Sequence, residues 1–213
     1  MILTLSHQKG GVGKSTVAWN LAVNFSKIIE TSIIDLDTQR SLTVTNALRE
    51  GQNLLPIRML HFDTAEELAD YARNDSADRL TIIDSGGFDS AFNRVAIVAS
   101  DVLITPISDK PFDLMGLQKY EEILQSLSKI QGETLKTRVL FNNINPAMKR
   151  FGELIDFICM SEHFDLMVSV LRQRVDLAHS VGEGKSIKEY RIFSKADQEM
   201  DALFDEVKGL LNI

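Results

Sequence analysis

The chain has 213 residues, of which 44% are apolar and 25% are charged, and its formal net charge is −7. This composition is typical of a globular protein with a sizeable core, and the negative charge argues against a histone-like protein that coats DNA. The single cysteine, Cys159, excludes an internal disulfide and a Cys₄ cluster within one chain.

No apolar run approaches the roughly 20 residues that a membrane span requires. The first residues also lack the basic segment, apolar core and cleavage site of an export signal. No repeat, low-complexity stretch or linker divides the sequence. We therefore predict one cytoplasmic domain over residues 1–213 that does not bind a membrane.

A short apolar run opens the chain and predicts a strand. Val17, Leu21 and Phe25 then recur at helical spacing, which predicts a helix that reaches about Ile29. Trp19 lies on the opposite face of this helix. We expect it to be partly buried under a neighbouring element, with a partner contact as the alternative.

A glycine-rich segment joins this strand to this helix. Glycines at such a turn let backbone N–H groups approach a phosphate, and the first turn of the helix adds partial positive charge. Lys14 can place its ammonium on the β- and γ-phosphates, and Ser15 can offer a hydroxyl to Mg²⁺. The predicted nucleotide-binding residues of this segment are Lys9, Gly10, Gly11, Val12, Gly13, Lys14, Ser15 and Thr16.

This loop departs from the common P-loop at its start. Gln8 stands where the common pattern has a glycine, and an additional lysine, Lys9, precedes Gly10. The segment Lys-Gly-Gly-x-Gly-Lys-Ser resembles the deviant Walker A loop of the ParA/MinD superfamily. The resemblance implies an ATPase in which Lys9 reaches across a dimer to the partner's nucleotide, so that Lys9 and Lys14 are the predicted catalytic lysines.

Two carboxylates, Asp35 and Asp37, follow the next β-branched run. Ligands of open α/β sheets lie at the carboxyl ends of strands, where these side chains are expected. The segment resembles the superfamily's Asp-x-Asp-Pro-Gln motif, with Thr38 in place of the proline. The resemblance implies that Asp35 approaches the water shell of Mg²⁺ and that Asp37 orients the attacking water. The alternative is a solvated turn.

Asp84 closes a second apolar run, residues 80–83, and precedes Gly86 and Gly87. An apolar strand that ends in an aspartate is typical of a Walker B strand, whose carboxylate holds Mg²⁺ through water. The two glycines can bring N–H groups toward the γ-phosphate. The alternative is a buried strand that ends in an aspartate by chance. The predicted metal-site residues are Ser15, Asp35 and Asp84.

Pro111 opens a long helix that is predicted to reach about Ile130. Three charged residues near its start are expected to be surface charges: Asp109, Lys110 and Asp113. The strand that follows ends in Asn142 and Asn143. In the superfamily an amide at this place often contacts the adenine edge, since it offers both a donor and an acceptor, and Asn142 is the first choice. Asn143 is the second choice, and a plain turn is the alternative.

The remaining elements follow from apolar periodicity. Helices are predicted at residues 41–50, 63–73, 88–99, 149–160 and 195–211, and strands at 54–60, 101–106, 137–143 and 164–171. The last helix has an acidic face, which repels anionic lipid and argues against membrane targeting of the MinD kind.

Residues 171–190 contain an arginine pair, a short helix and the sequence Gly-Lys-Ser-Ile, and they resemble a ParA-family segment. The resemblance implies that Arg172 and Arg174 contact DNA without sequence preference when nucleotide is bound. Ordinary solvated arginines are the alternative. Each neutralised phosphate contributes about −0.9 to the salt slope, so a few such residues give weak, salt-sensitive binding.

These features predict an α/β fold, a single-domain, mainly parallel twisted sheet with helices on both faces. The resemblance implies a short, ParF-like ATPase of ParA type that partitions plasmid or chromosome DNA. ATP and Mg²⁺ would close a homodimer, the dimer would bind DNA non-specifically, and a small DNA-binding partner protein would accelerate slow hydrolysis. Three alternatives stay open: positioning of another cargo, a metabolic ligase such as a dethiobiotin synthetase-like enzyme, and a non-enzymatic nucleotide-gated scaffold.

Overall fold

The computed structural model describes residues 1–148 and 151–213. The described strands β1 to β7 are Ile2–Leu5, Glu30–Asp35, Arg58–Leu60, Arg79–Asp84, Val102–Ile107, Thr137–Ile144 and Phe164–Arg172. They form one parallel sheet in the order β3-β2-β4-β1-β5-β6-β7. The sheet confirms the predicted fold class.

Helices cover both faces of the sheet. In chain order, α1 to α9 are Lys14–Phe25, Ser41–Gly51, Ala65–Arg73, Ala91–Val98, Pro111–Gln131, Gly152–Met160, Val175–Gly182, Ile187–Tyr190 and Lys195–Leu211. Helices α1, α2 and α7 to α9 pack on the face that carries Leu3 and Leu5. Helices α3 to α6 pack on the other face, where Ile2 points. Because both faces are covered, the central strands are largely apolar, and the threonines within them, Thr4, Thr81 and Thr105, are buried.

The strand register brings the predicted site residues to one edge of the sheet. Leu5, the last residue of β1, pairs with Asp84 of β4 and with Ile104 of β5. Asp84 in turn pairs with Asp35 of β2. The chain leaves β1 toward β2 and leaves β5 toward β6, on the opposite side of the sheet. The loop after β1 therefore lies at the topological switch point, where ligands of open α/β sheets bind.

Two predicted boundaries are wrong for identifiable reasons. Helix α1 ends at Phe25 rather than near Ile29, since the chain continues as turns closed by the backbone bond from Ile28 to Phe25, 2.9 Å. Strand β3 is shorter than predicted because Asn46 takes both backbone groups of Ile57, accepting at 2.9 Å and donating at 2.8 Å. The predicted start of α6 at Lys149 lies outside the described residues.

Trp19 is completely buried, so the expected partial burial is wrong. Its indole N–H donates to the carbonyl of Lys185 at 3.1 Å. The next residue, Asn20, accepts a hydrogen bond from the backbone N–H of Ile187 at 2.7 Å and donates to the carbonyl of Thr16 at 2.9 Å. The loop before α8 is therefore fastened onto the helix that follows the glycine-rich segment.

Helix α9 closes the open edge of the sheet at β7. Glu206 accepts hydrogen bonds from the backbone N–H groups of Val168 and Ser169, both at 2.8 Å, and Glu199 accepts from that of Arg172 at 2.9 Å. These carboxylates satisfy N–H groups that an edge strand would otherwise present to solvent. Much of the predicted acidic face is thus bonded within the chain. None of the described helices combines the length and apolar character of a membrane crossing.

Candidate nucleotide-binding site

The glycine-rich loop between β1 and α1 requires glycine at Gly13. This residue caps α1 with φ 91°, and a Cβ placed on it would lie 2.2 Å from Nδ2 of Asn142. That amide donates to the carbonyl of Val12 at 2.7 Å and holds the loop in place. No described side chain caps the start of α1, so its first N–H groups are available to a phosphate.

Lys14 is buried beside this loop. Lys14 is only 5% exposed, and its Nζ donates a hydrogen bond to the carbonyl oxygen of Lys9 at 3.3 Å. Burial lowers the pKa of Lys14, while the charges of Asp84 and Asp37 raise it. A buried ammonium at a helix N-terminus is suited to a group with several negative charges, such as a triphosphate.

Asp84 places a carboxylate in the interior of the site. It is completely buried, and burial raises its pKa to about 7, although Ser15 and Lys14 partly offset this rise. Neither carboxylate oxygen makes a hydrogen bond of normal geometry within the described part of the chain. A buried carboxylate with both oxygens unsatisfied needs an explanation, and a cation supplies one.

The donor set around Asp84 fits Mg²⁺. Among the described residues no cluster of three or more His, Cys, Asp or Glu side chains could hold a metal by itself. Mg²⁺ does not need such a cage, because it keeps several waters and binds through one or two carboxylates together with substrate phosphates. Asp84 and the neighbouring Ser15 hydroxyl are donors of the kind that Mg²⁺ binds, and the metal site of Ser15, Asp35 and Asp84 stays a prediction.

Asp35 and Asp37 differ in how they are bonded. Asp35 is buried, and one of its oxygens accepts from the N–H and the hydroxyl of Thr43, at 3.0 and 3.1 Å, in the first turn of α2. Its other oxygen accepts from the N–H of Asp37 at 3.3 Å. Asp37 is half-buried and accepts from the N–H of Gln39 at 2.9 Å. Asp35 thus stabilises the start of α2 and the turn that presents Asp37.

Gly87, in the loop after β4, lies against this site. A Cβ placed on Gly87 would be 3.1 Å from the backbone nitrogen of Gly10, so the two loops touch. The structure therefore brings the glycine-rich loop, a buried lysine and an unsatisfied carboxylate together at the ends of β1 and β4. The family model of the CobQ/CobB/MinD/ParA nucleotide-binding domain matches residues 3–187. The chain belongs to this family.

Individual relatives agree with this assignment. The chain is 22% identical to the virulence plasmid ParA family protein pGP5-D of Chlamydia trachomatis, over 96% of this chain and 92% of that protein. It is 23% identical to the maintenance of carboxysome distribution protein A of Halothiobacillus neapolitanus, over 96% and 95% of the two chains. The ATP complex of a McdA variant from Cyanothece superposes with a TM-score of 0.69 at 18% identity, covering 100% of this chain and 96% of that one. This likeness confirms the predicted fold.

Asn142, predicted to contact adenine in the manner of the family, lies directly on the glycine-rich loop. It is 6% exposed, and its amide nitrogen is bonded to Val12. Asn143 follows with a positive φ of 57° and is half-buried. The amide group of Asn142 therefore positions the loop, and the adenine contact stays a prediction.

The two arginines predicted to contact DNA are bonded within the chain. The guanidinium of Arg172 donates to the carbonyl of Met148 at 2.7 Å, and that of Arg174 pairs with Glu199 at 2.6 Å. Both residues are half-buried. They lie at the end of β7 and the start of α7, at the same edge of the sheet as the family's phosphate loop. Their contact with DNA stays a prediction.

The expectation that Asp113 is a surface charge is wrong. This residue, in the first turn of α5, is only 2% exposed, and its carboxylate pairs with the ammonium of Lys9. No local sequence pattern indicates this contact, because an aspartate after a proline at a helix start is ordinary. His7 was also missed: its Nδ1 accepts the backbone N–H of Lys9 at 2.9 Å.

Proposed function

We propose that the protein is an Mg²⁺-dependent, slowly hydrolysing ATPase of ParA type that partitions DNA. The observation that carries this proposal is the completely buried Asp84, with both oxygens unsatisfied, beside the buried Lys14 and the glycine-rich loop. Such strongly perturbed charges in contact with a phosphate-binding loop are typical of phosphoryl-transfer sites. Membership in a family described as a nucleotide-binding domain supports the same conclusion.

Each residue of the site has a separate part in ATP hydrolysis. The N–H groups of residues 10–16 and the ammonium of Lys14 hold the β- and γ-phosphates, and Asn142 contacts the adenine. Ser15, Asp35 and Asp84 would hold Mg²⁺, which would neutralise charge on the phosphates. Asp37 orients the attacking water, and Asp35 fixes the turn that carries Asp37. No strong general base is present among these groups, so turnover by the protein alone is slow.

Lys9 completes the site of a second subunit. Its side chain is 33% exposed at the mouth of the loop, whereas Lys14 is buried inside it. When ATP closes two subunits face to face, the ammonium of each Lys9 neutralises phosphate charge in the opposite site. The homodimer is therefore the form in which both sites carry their full positive charge.

DNA binding is assigned to the ATP-bound dimer. Arg172 and Arg174 lie at the same edge of the sheet as the nucleotide, so a change there can reach them through the loop before α8. Their guanidinium groups exchange the carbonyl of Met148 and the carboxylate of Glu199 for DNA phosphates. A small DNA-binding partner protein then accelerates hydrolysis and releases the dimer. The resemblance to a plasmid ParA family protein supports DNA as the cargo.

A second candidate function is the positioning of a different cargo. The similarity to a carboxysome distribution protein, over nearly the whole length of both chains, favours this alternative. It shares the ATP-dependent dimer and differs only in what the partner protein binds. A metabolic ligase of the same superfamily would instead turn over a small substrate rapidly without DNA.

Phosphate release and DNA binding, measured together, separate these functions. We expect slow Mg²⁺-dependent phosphate release and a DNA mobility shift that needs ATP and weakens steeply with salt. Lys14→Ala should lose both activities, and Lys119→Ala, which changes an exposed lysine of α5, should lose neither. Fast turnover without DNA would contradict the proposal in favour of a ligase. ATP-dependent dimers that never bind DNA would contradict DNA binding itself.

A further inference from the structure

Asn93, in the first turn of α4, holds the loop after β4, residues 85–90. Its amide nitrogen donates to the carbonyl of Gly86 at 3.3 Å and to the carbonyl of Phe88 at 2.5 Å. The residue is only 3% exposed, and its own backbone N–H donates to Oγ of Ser90, which caps the helix, at 3.1 Å. A buried side chain on a regular helix therefore fixes two carbonyl groups of this loop.

The oxygen of the Asn93 amide, Oδ1, is buried and has no partner among the described residues. A buried acceptor without a donor destabilises a folded protein, and an apolar side chain of similar size would avoid that loss. The hydroxyl of Ser85 also donates to the carbonyl of Gly86, at 3.3 Å, but it belongs to the same loop and cannot anchor it to α4. What the asparagine contributes is therefore the donor that binds the loop to the helix.

The bond from Asn93 to Gly86 sets the direction of the next N–H group. The peptide between Gly86 and Gly87 is trans, so its C=O and N–H point in opposite directions. Because the carbonyl of Gly86 points at Asn93, the N–H of Gly87 points away from α4. No backbone carbonyl of the described residues accepts a hydrogen bond from this N–H. The donor is therefore available to a ligand.

The loop after β4 lies close against the glycine-rich loop. A Cβ on Gly87 would be 3.1 Å from the nitrogen of Gly10 and 3.3 Å from the carbonyl carbon of Lys9. Gly86 is also confined, since a Cβ there would be 2.9 Å from Cε1 of Phe88. At such short distances, a small shift of the loop changes where the Gly87 N–H lies relative to a phosphate on the glycine-rich loop.

We propose that Asn93 is a positioning residue that aims the N–H of Gly87 at the γ-phosphate of bound ATP. This inference rests on the proposed function, which places a triphosphate on the glycine-rich loop. ADP has no γ-phosphate, so this contact is made with ATP alone. The N–H of Gly87 thus discriminates the triphosphate from the diphosphate, and Asn93 fixes the geometry on which the discrimination depends.

The restraint of the loop is tested first without nucleotide, where the proposed function plays no part. Chymotrypsin cleaves after phenylalanine, and a loop must leave its native path to enter the protease. Phe88 is 46% exposed in the restrained loop, and Phe193 is 79% exposed in the loop before α9. We expect Asn93→Leu to raise the rate of cleavage after Phe88 by about fivefold or more and to leave cleavage after Phe193 unchanged. Equal rates after Phe88 in the variant and the wild type overturn the proposal.

The second arm compares two nucleotides by isothermal titration with Mg²⁺. We expect Asn93→Leu to weaken binding of the ATP analogue AMPPNP by about tenfold and binding of ADP by less than about twofold, because only the first has a γ-phosphate. A residue that merely stabilises the fold would weaken both nucleotides alike. Equal losses for the two nucleotides therefore overturn the positioning role, and so does an unchanged affinity for AMPPNP.

Asn24→Leu is the matched control. Asn24 is also a buried helical asparagine, 6% exposed with an unpartnered Oδ1, and it lies at the opposite end of α1 from the glycine-rich loop. This variant should change neither the two affinities nor the cleavage after Phe88. If it changes them as much as Asn93→Leu does, the loss of any buried amide suffices and the proposal is overturned.

Two further outcomes are assigned in advance. If Asn93→Leu does not fold, Asn93→Asp takes its place with the same expected results, because it keeps the size of the side chain and removes the donor. A wild-type protein that binds neither nucleotide contradicts the proposed function. Faster cleavage after Phe88 in the Asn93 variant would then still support the restraint of the loop.

Discussion

Two regions of this domain differ in how their buried charges are satisfied. Around the glycine-rich loop, Lys14 and Asp84 are buried, and neither oxygen of Asp84 has a satisfactory partner in the described chain. Around the loop before α8, Arg49 is equally buried but forms two hydrogen bonds to Glu189, at 2.8 and 2.9 Å. Arg174 pairs with Glu199 through a single hydrogen bond at 2.6 Å, and its Nε has no partner among the described residues.

This difference distinguishes buried charges that bind a ligand from buried charges that stabilise the fold. Buried charges that the chain itself satisfies contribute to the fold, and breaking one such pair destabilises it. Buried charges that the chain leaves unsatisfied are tolerated where a ligand completes them. By this criterion the glycine-rich loop and Asp84 are the candidate ligand site. Arg172 and Arg174 are bonded within the chain, so their proposed contact with DNA would require a phosphate to replace these partners.

The largest effect is expected beside the glycine-rich loop, where the buried charges lack partners within the chain. Lys14→Ala should weaken binding of ATP about 100-fold, because a charge-assisted contact to phosphate is lost in a buried site. Isothermal titration measures this change, with Lys119→Ala as the matched control. An affinity within threefold of wild type would show that Lys14 does not contact phosphate. The distinction between the glycine-rich loop and the loop before α8 would then be lost.

In the loop before α8, Gly184→Ala should reduce the free energy of unfolding by about 3 kcal/mol. Gly184 has φ 69°, and a Cβ there would lie 2.3 Å from the backbone nitrogen of Arg49. Gly209→Ala is the control: a Cβ on this residue of α9 meets nothing within 4 Å, and alanine should stabilise the helix by about 0.5–1 kcal/mol. Urea denaturation measures both. Equal effects of the two substitutions would contradict the tight packing of this loop on α2.

The pH dependence of stability should change in Asp84→Asn. The pKa of Asp84 is raised to about 7, so its ionisation lowers the free energy of unfolding as the pH rises from about 4 to 7. The pKa of His7 is lowered to about 4, so this residue raises the free energy of unfolding as the pH rises from 4 to about 6.5. In the wild type the two effects oppose each other.

Without Asp84 the His7 effect stands alone. Between pH 4.5 and 6, we expect the unfolding free energy of Asp84→Asn to rise more steeply than that of wild type, by about 1.4 kcal/mol per pH unit. Urea midpoints at several pH values test this difference. Parallel curves for the two proteins would mean that Asp84 has an ordinary pKa and is not the unsatisfied charge of the site.

The smallest effect is expected at the arginine pair. Arg172→Ala with Arg174→Ala should weaken ATP-dependent DNA binding and reduce the magnitude of the salt slope by about two per subunit. The double variant Arg58→Ala with Arg73→Ala removes two arginines that are 64% and 69% exposed and serves as the control. An unaltered isotherm for the first variant would move the DNA surface elsewhere.

Glu199→Gln refines the same prediction. Because Glu199 holds Arg174, removing its charge should release the guanidinium and strengthen DNA binding about threefold at low salt. Fluorescence anisotropy with labelled DNA measures the change. If Glu199→Gln weakens binding without altering the circular dichroism spectrum, the arginine is structural in the DNA complex as well.

The sequence was informative where local pattern decides the structure. The strand before the glycine-rich loop and the aspartate that ends β4 could be predicted, because apolar runs and glycine turns carry their own signal. Asp113 could not: its burial depends on Lys9 and Ser108, and Lys9 lies 104 residues away. The short β3 has the same cause, since Asn46 takes the hydrogen bonds of Ile57 only after α2 has packed.

Sedimentation of Lys9→Ala with ATP and Mg²⁺ tests most directly whether Lys9 joins two subunits when ATP is bound. We expect the variant to bind ATP with nearly wild-type affinity and to remain monomeric at concentrations where the wild type dimerises. A variant that dimerises like the wild type would contradict the account, because its lysine would then be unnecessary for joining two nucleotide sites.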